Sequence, residues 1–428
     1  MRVAFLSLGC KVNQYEADAC AALFRERGAE IGDFGEKCDV YVVNTCSVTN
    51  IGDRKSRQML RRAKRLNPDA IVVATGCYAQ TAFAEVEAMP EVDLVIGTAM
   101  RHRICELVEA VLRGENPETR VDIMKQREFE ELETEGSPER SRAYIKIEDG
   151  CDNFCSYCII PYARGPVRSR PMENIAAEAR RLADKGYREV VLTGIHVASY
   201  GKDMKNGLGL IDVIECVAAT EGIERIRISS IDPRAFTPDF IARAAACRKL
   251  CRHFHISLQS GSEAVLKRMN RKYTPAQYLD ALAAIRAAMP DCSVTTDVIC
   301  GFPGETEEEF AETLAFAREA GFYNIHVFPY SERRGTVAAK LEQLPHSVRE
   351  ERAARLAEEA ALLRAEFEER HVGETVGVLF EKTENGCAEG LSGNYIRVFV
   401  PSDIDLTDEI RRVKVTARRD GRVYGELI

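Results

Sequence analysis

Short β-branched runs alternate with amphipathic helical stretches along most of this chain, and that alternation restricts it to parallel-sheet architectures. Residues 2–9 (RVAFLSLG), 39–44 (DVYVVN), 70–76 (AIVVATG) and 93–97 (DLVIG) read as buried strands. Helical patterns fall near 13–28, 53–66, 79–89 and 101–113. Apolar strands spaced by helices predict a doubly wound parallel α/β domain over residues 1–113.

Residues 114–142 hold Gly114, Pro117, Gly136 and Pro138 and a charged run, KQREFEELETEGSPERSR, and read as a linker. Six further strand–helix units follow within 143–345, with strands at 143–150, 189–195, 225–231, 255–260, 293–300 and 324–330. Six units predict a partial β/α barrel, with a second doubly wound sheet as the alternative. Residues 346–370 form one charged helix with Leu356, Leu362, Leu363 and Phe367 as its apolar stripe. Residues 371–428 carry four short strand patterns with Gly/Asn turns, which predict a small all-β barrel.

The chain has 428 residues, with 59 Lys+Arg against 67 Asp+Glu and a net charge of −8. That balance excludes a uniformly basic nucleic-acid coat; any such binding must use local patches. No apolar run approaches the ~18–20 residues of a membrane span. The start, MRVAFLSLGC, reads as a first strand rather than a signal peptide, and the expected location is cytoplasmic. Fifteen cysteines in such a chain are not a disulfide framework. Nine of them sit in unremarkable contexts and read as buried small residues.

Three of the other six form the run CDNFCSYC: Cys151, Cys155 and Cys158, placed just after the first predicted barrel strand. Three thiolates in one loop can hold three corners of a four-iron cube and leave one iron open. A zinc site would need a nearby fourth Cys or His, and none follows at usable spacing. The spacing resembles the signature of the radical S-adenosylmethionine enzymes. The resemblance implies a [4Fe–4S] cluster whose open iron binds S-adenosylmethionine and which cleaves it to a 5′-deoxyadenosyl radical. It also places Tyr157 beside the adenine. Strand ends at LTGIH (192–196) and SLQSGS (257–262) make Thr193, Gly194 and Gln259 candidates for the rest of the cofactor. Thr306 and Glu309 have capping-box spacing and read as a helix start.

Cys10, Cys46 and Cys77 lie far apart, but each follows a predicted parallel strand. Carboxyl ends of parallel strands share one edge of a sheet, where ligands bind. Three thiols there suit a second cluster, with Asn44 and Thr45 as candidate donors to its sulfurs. Together LGCKVNQYEAD, NTCSVTN, TGCYAQ, CDNFCSYCIIPYARGPVRSR and the terminal barrel resemble the methylthiotransferases, over nearly the whole chain. That family implies an N-terminal cluster domain, a radical barrel, a C-terminal TRAM domain and two [4Fe–4S] clusters. It also implies replacement of a C–H bond by C–SCH3, with S-adenosylmethionine as methyl donor and radical source. LGCKVNQYE resembles the subgroup acting at C2 of N6-threonylcarbamoyladenosine, next to the anticodon at position 37 of tRNA. Isopentenyladenosine in tRNA and an aspartate of a ribosomal protein are the alternative targets. A non-catalytic iron–sulfur RNA-binding factor is the alternative class.

Three basic runs fit an RNA partner. The first is a helix with Arg54, Lys55, Arg57, Arg61, Arg62, Lys64 and Arg65. The second is Arg164, Arg168 and Arg170, beside the cysteine loop. The third is the segment 411–422, with six basic residues. The sequence identifies neither the reductant nor the sulfur source.

Overall fold

The computed structural model describes residues 1–137 and 139–428; Pro138, one of the linker markers, lies outside them. The N-terminal sheet has five parallel strands: β1 (Arg2–Ser7), β2 (Glu30–Gly32), β3 (Val40–Thr45), β4 (Ile71–Gly76) and β5 (Leu94–Ile96). Their order is β2-β1-β3-β4-β5. β3 and β4 are buried at every residue, because helices cover both faces and each strand offers apolar side chains to both. Tyr41 and Val43 enter one core, Val40 and Val42 the other. Helix α1 (Lys11–Glu26) follows β1, and α2 (Asn50–Leu66) follows β3. Chain order reverses between β1 and β3, which opens a crevice at their carboxyl ends.

The segment read as a linker is an ordered strap. Ile123 and Leu132 are buried, Leu132 against Tyr15 and Ala19 of α1. Its carboxylates seek buried cations: Glu130 pairs with Arg101 at 2.7 Å and Glu131 with Arg170 at 2.8 Å. Those pairings, invisible locally, explain why a charged run is held in place.

Six parallel strands follow in sequential order: Arg142–Lys146, Glu189–Thr193, Arg225–Ile228, His253–His255, Ser293–Cys300 and Asn324–Pro329. They form two three-stranded ladders joined by isolated bridges at Ile226↔Leu250 and Ile231↔Ile256. Sequential order without reversal makes this a partial barrel and not a second doubly wound sheet. Phe254, Ile256, Val294 and Val298 face the surrounding helices, so by strand alternation His253, His255, Thr295 and Asp297 face the lumen.

The N-terminal domain spans the open seam of this barrel. On one edge Glu16 of α1 bonds Lys146 of the first barrel strand at 2.8 Å. Beyond the sixth strand, Arg333 donates to Ser47 at 2.6 Å and pairs with Asp53 at 2.8 Å.

Helix His346–Arg370 packs Leu356, Ala360 and Leu363 on the barrel core and Phe367 on the terminal module. That module is a closed barrel of five strands: Thr375–Glu384, Cys387–Ser392, Arg397–Pro401, Ile410–Arg419 and Arg422–Leu427. Its Leu391–Tyr395 turn plugs the floor of the radical barrel. Arg227 donates to the Ser392 carbonyl at 2.6 Å, Ser293 to that of Asn394 at 2.6 Å, and Tyr395 stacks on His253 at 4.2 Å. Among the described residues no helix is long and apolar enough to cross a membrane.

Candidate functional site

The crevice between β1 and β3 collects three of the candidate cysteines. Cys10 is the N-cap of α1, Cys46 directly follows β3, and Cys77 opens the short helix after β4. Gly9 has φ +101°, and a Cβ there would lie 2.7 Å from the Cys46 sulfur. Glycine is therefore required for β1 and β3 to deliver their cysteines side by side. Asn13 staples the two strand ends, donating to the Leu8 carbonyl at 2.7 Å and the Thr45 carbonyl at 3.0 Å. Burial pushes the Cys77 thiol up to about 12, the Arg164 guanidinium opposes that, and the Cys10 and Cys46 thiols add to it. Three thiols whose thiolates would repel one another suit a cationic cluster, which replaces their protons.

The side chains of Asn44 and Thr45 bond neighbouring backbone carbonyls. Asn44 donates to the Asn13 carbonyl at 2.8 Å, and the Thr45 hydroxyl to that of Thr75 at 2.6 Å. Both hold the crevice together, because the strand ends they sit on have carbonyls to satisfy.

Cys151, Cys155 and Cys158 share one loop at the carboxyl end of the first barrel strand. The loop is anchored from three sides: Ser156 N donates to Met269 O at 2.9 Å, Ala338 N to Ser156 O at 2.8 Å, and Cys151 N to Gly165 O at 3.0 Å. Burial first, then the neighbouring thiols, pushes Cys151 and Cys158 up to about 12. Arg271 points Nη1 at the Cys155 sulfur, 3.5 Å away. A second three-thiol set with a guanidinium beside it again fits a cluster with one iron open.

The other candidates line the same rim. Tyr157 packs on the apolar cluster of Val265, Met269 and Phe302. Thr193 is buried at the end of the second barrel strand, its carbonyl accepting from Ile147 N at 2.9 Å. Gly194 leaves room for Glu148, whose Oε2 would lie 2.7 Å from a Cβ. Glu148 accepts from His196 N at 2.7 Å through Oε2, while its buried Oε1 has no partner. Gln259 lies just beyond the fourth strand in the left-handed region, φ 74°, bonded through its backbone to Asp297 and Ile299. Thr306 and Glu309 form a capping box, a helix start as read.

Arg164, Arg168 and Arg170 are not an RNA face. All three are buried. Arg164 bonds Asn13 at 2.6 Å, Glu16, and the Cys77 sulfur at 3.2 Å through Nε. Arg170 pairs with Glu178, and Arg168 with Asp149 at 3.5 Å. Glu16 lies 148 residues from Arg164, so the run alone could not reveal that partner. By contrast Arg54, Lys55, Arg61, Arg62 and Arg65, and Arg411, Arg412, Lys414 and Arg419, are exposed.

Sequence reasoning passed over Lys11. It follows Cys10 and lines a cavity of about 330 Å³ shared with the barrel lumen. Its position immediately after a candidate ligand was the available signal.

Residues 145–317 match the model of the Radical SAM superfamily, and residues 2–97 that of the uncharacterized protein family UPF0004. The chain is 46% identical to the threonylcarbamoyladenosine tRNA methylthiotransferase MtaB of Bacillus subtilis, over 99% of this chain and 95% of that one. This chain belongs to the radical S-adenosylmethionine methylthiotransferases. As such it is an iron–sulfur enzyme. A second relative, the tRNA-2-methylthio-N(6)-dimethylallyladenosine synthase of Moorella thermoacetica, is 36% identical over 99% of this chain and 97% of its own. Among solved structures, the radical S-adenosylmethionine methyltransferase TsrM of Kitasatospora setae shares the fold. Its TM-score is 0.58, at 17% identity over 79% of this methylthiotransferase and 75% of TsrM.

Proposed function

We propose that this enzyme methylthiolates C2 of N6-threonylcarbamoyladenosine beside the anticodon of tRNA. The observation that carries the reading is that two three-cysteine sets, from two domains, sit at strand ends, and that Arg164, just past the 151–158 loop, reaches the Cys77 sulfur of the other set. Cys10, Cys46 and Cys77 would hold one [4Fe–4S] cluster, and Cys151, Cys155 and Cys158 the other. When bound, these clusters and two molecules of S-adenosylmethionine supply a methyl group, sulfur and radical chemistry for a C–H bond that acid–base catalysis does not reach. The relatives named for threonylcarbamoyladenosine support the choice of substrate.

The chain's own residues bind, orient and shield. Thr193, Gly194, Gln259 and Tyr157 form the cofactor rim, with the buried, unpartnered Glu148 Oε1 close beneath Gly194. The N-terminal domain covers the seam and the terminal barrel covers the floor, which shields the barrel from those two sides. Exposed cations on α2 and the terminal barrel offer phosphate contacts that position RNA without reading it.

Mass spectrometry of tRNA nucleosides from a strain lacking the gene tests this. Threonylcarbamoyladenosine without its 2-methylthio group should accumulate. Loss of the methylthio group from isopentenyladenosine instead, or from a ribosomal protein, would refute the substrate assignment.

A further inference from the structure

We infer that Lys11 is the receptor for a carboxylate carried on the N6 appendage of the substrate adenosine, and so selects an anionic nucleoside over an uncharged one. This rests on the reading that the substrate is threonylcarbamoyladenosine, whose amino-acid appendage ends in an acid.

The position of Lys11 makes the case. It is the first residue of α1, next to Cys10, and the cavity it lines is also bounded by Arg142, Tyr144, Val191, Arg227 and Tyr395. Tyr144 pairs with Val191 across the first two barrel strands, and Lys146 pairs with Thr193 two residue pairs further on. The cavity therefore opens two residue pairs below the rim where the candidate cofactor residues sit. An adenine held between the two cysteine sets can direct its appendage into this space.

The charge makes the chemistry specific. Five cations and only two carboxylates line the cavity. Four of the cations are already satisfied. Arg142 pairs with Glu381, and Arg227 with Glu189 at 2.7 Å. Arg140 pairs with Asp18, and Arg397 with Glu389. Lys11 alone has neither an ion pair nor a hydrogen bond among the described residues. Lys11 is exposed to this space with no anion beside it, so it is free to receive one from a ligand.

The facing wall does not supply it. Asp297 is engaged by His255 at 3.1 Å. His255, Asp297 and His326 bring ligand atoms within 4.8 Å of one another, a donor set that would suit a divalent cation. The cationic surroundings oppose one there, and favour an anion at Lys11. An uncharged isopentenyl group would offer Lys11 no anion, so the same residue discriminates between the two nucleosides.

The test uses the iron-loaded enzyme and three anticodon stem-loop RNAs. One carries threonylcarbamoyladenosine, one its methyl ester and one isopentenyladenosine. Binding and kcat/KM are measured for the wild type, Lys11→Gln and Lys11→Arg, with iron content checked in each. The wild type should prefer the acid to the ester by about 10- to 100-fold, the range of one charge-assisted hydrogen bond. Lys11→Gln should lose that preference, weakening the acid by about the same factor and leaving the ester nearly unchanged. Lys11→Arg should retain most of it. An equal loss for acid and ester in Lys11→Gln would overturn the inference, pointing to a backbone phosphate contact or to a structural role. So would a wild type indifferent to esterification, and in both cases the substrate reading would survive. A wild type that modifies only the isopentenyl RNA would refute the substrate reading itself, and this inference with it.

Discussion

Arg164 donates from Nε to the sulfur of Cys77 at 3.2 Å while its other nitrogens bind Glu16 and Asn13 of the N-terminal domain. One buried guanidinium from the radical barrel thus reaches a candidate ligand in the other domain. Around it Arg101, Lys146, Glu16 and Asp149 form a closed set of charges with almost no exposure. Arg164→Ala should destabilise the protein by about 3–5 kcal/mol, because it leaves buried carboxylates short of a cation. Urea unfolding followed by circular dichroism measures this; a change under about 0.5 kcal/mol, the range of ordinary surface substitutions, would show the network to be incidental.

The same network makes the domain interface acid-sensitive. Burial raises the Glu16 carboxyl, but Arg101, Arg164 and Lys146 outweigh it and hold it at about 2, below the ordinary 4.5. Glu130 is held at about 2 in the same way, chiefly by Arg101. A carboxylate depressed in the folded state contributes stability above its unfolded pKa and loses it as pH falls. Stability should therefore decline between pH 4.5 and about 2. Arg164→Gln should move that decline to higher pH. The chain has no tryptophan, so an acid titration followed by circular dichroism is the practical measurement. A variant that unfolds at the same pH as the wild type would contradict the assignment.

The two cysteine sets should separate by activity. Cys155→Ala should abolish reductive cleavage of S-adenosylmethionine. Cys46→Ala should still release 5′-deoxyadenosine yet attach no methylthio group. Iron per chain should fall from about eight towards four in either variant. Full methylthiolation by the Cys46 variant would reduce Cys10, Cys46 and Cys77 to buried thiols.

Neutralising Arg412, Lys414 and Arg419, which are exposed, should weaken RNA binding and lower its salt dependence by roughly 0.7–0.9 per lost phosphate contact. Arg418 is excluded from the set because it pairs with Glu368 of the long helix at 2.9 Å. An unchanged slope in a salt titration would assign the module another role.

Tyr395→Ala should impair the radical barrel as well as the module it belongs to. It removes the stack on His253 and the ring beneath Arg227. A loss of about 1–3 kcal/mol is expected for a half-buried aromatic that stacks on a neighbouring ring. A thermal midpoint equal to that of the wild type would mean that the floor contact is dispensable.

Strong local patterns were legible. The helix over 346–370 and the strand over 293–300 have the bounds their periodicity implies. β2 was missed because three half-exposed residues, EIG, carry no pattern. The strand Cys387–Ser392 was missed because CAEGLS is small and polar, and its stability comes from neighbours on both sides. At the site, cysteines after strands were readable because topology fixes where strands end. The roles of Arg164, Arg168 and Arg170 were not. A basic run looks the same whether it meets RNA or a carboxylate 148 residues away.

A six-stranded barrel is not closed by its own hydrogen bonds, and here a separate domain spans the gap. The tightness of the reaction chamber therefore depends on side-chain contacts such as Arg333 with Ser47 and Asp53, not on a backbone ladder. Such a seam can breathe without unfolding either half. Its opening would show first as leakage: cofactor consumed with no product formed. The ratio of spent cofactor to modified RNA is thus a gauge of how well the two domains stay docked during turnover.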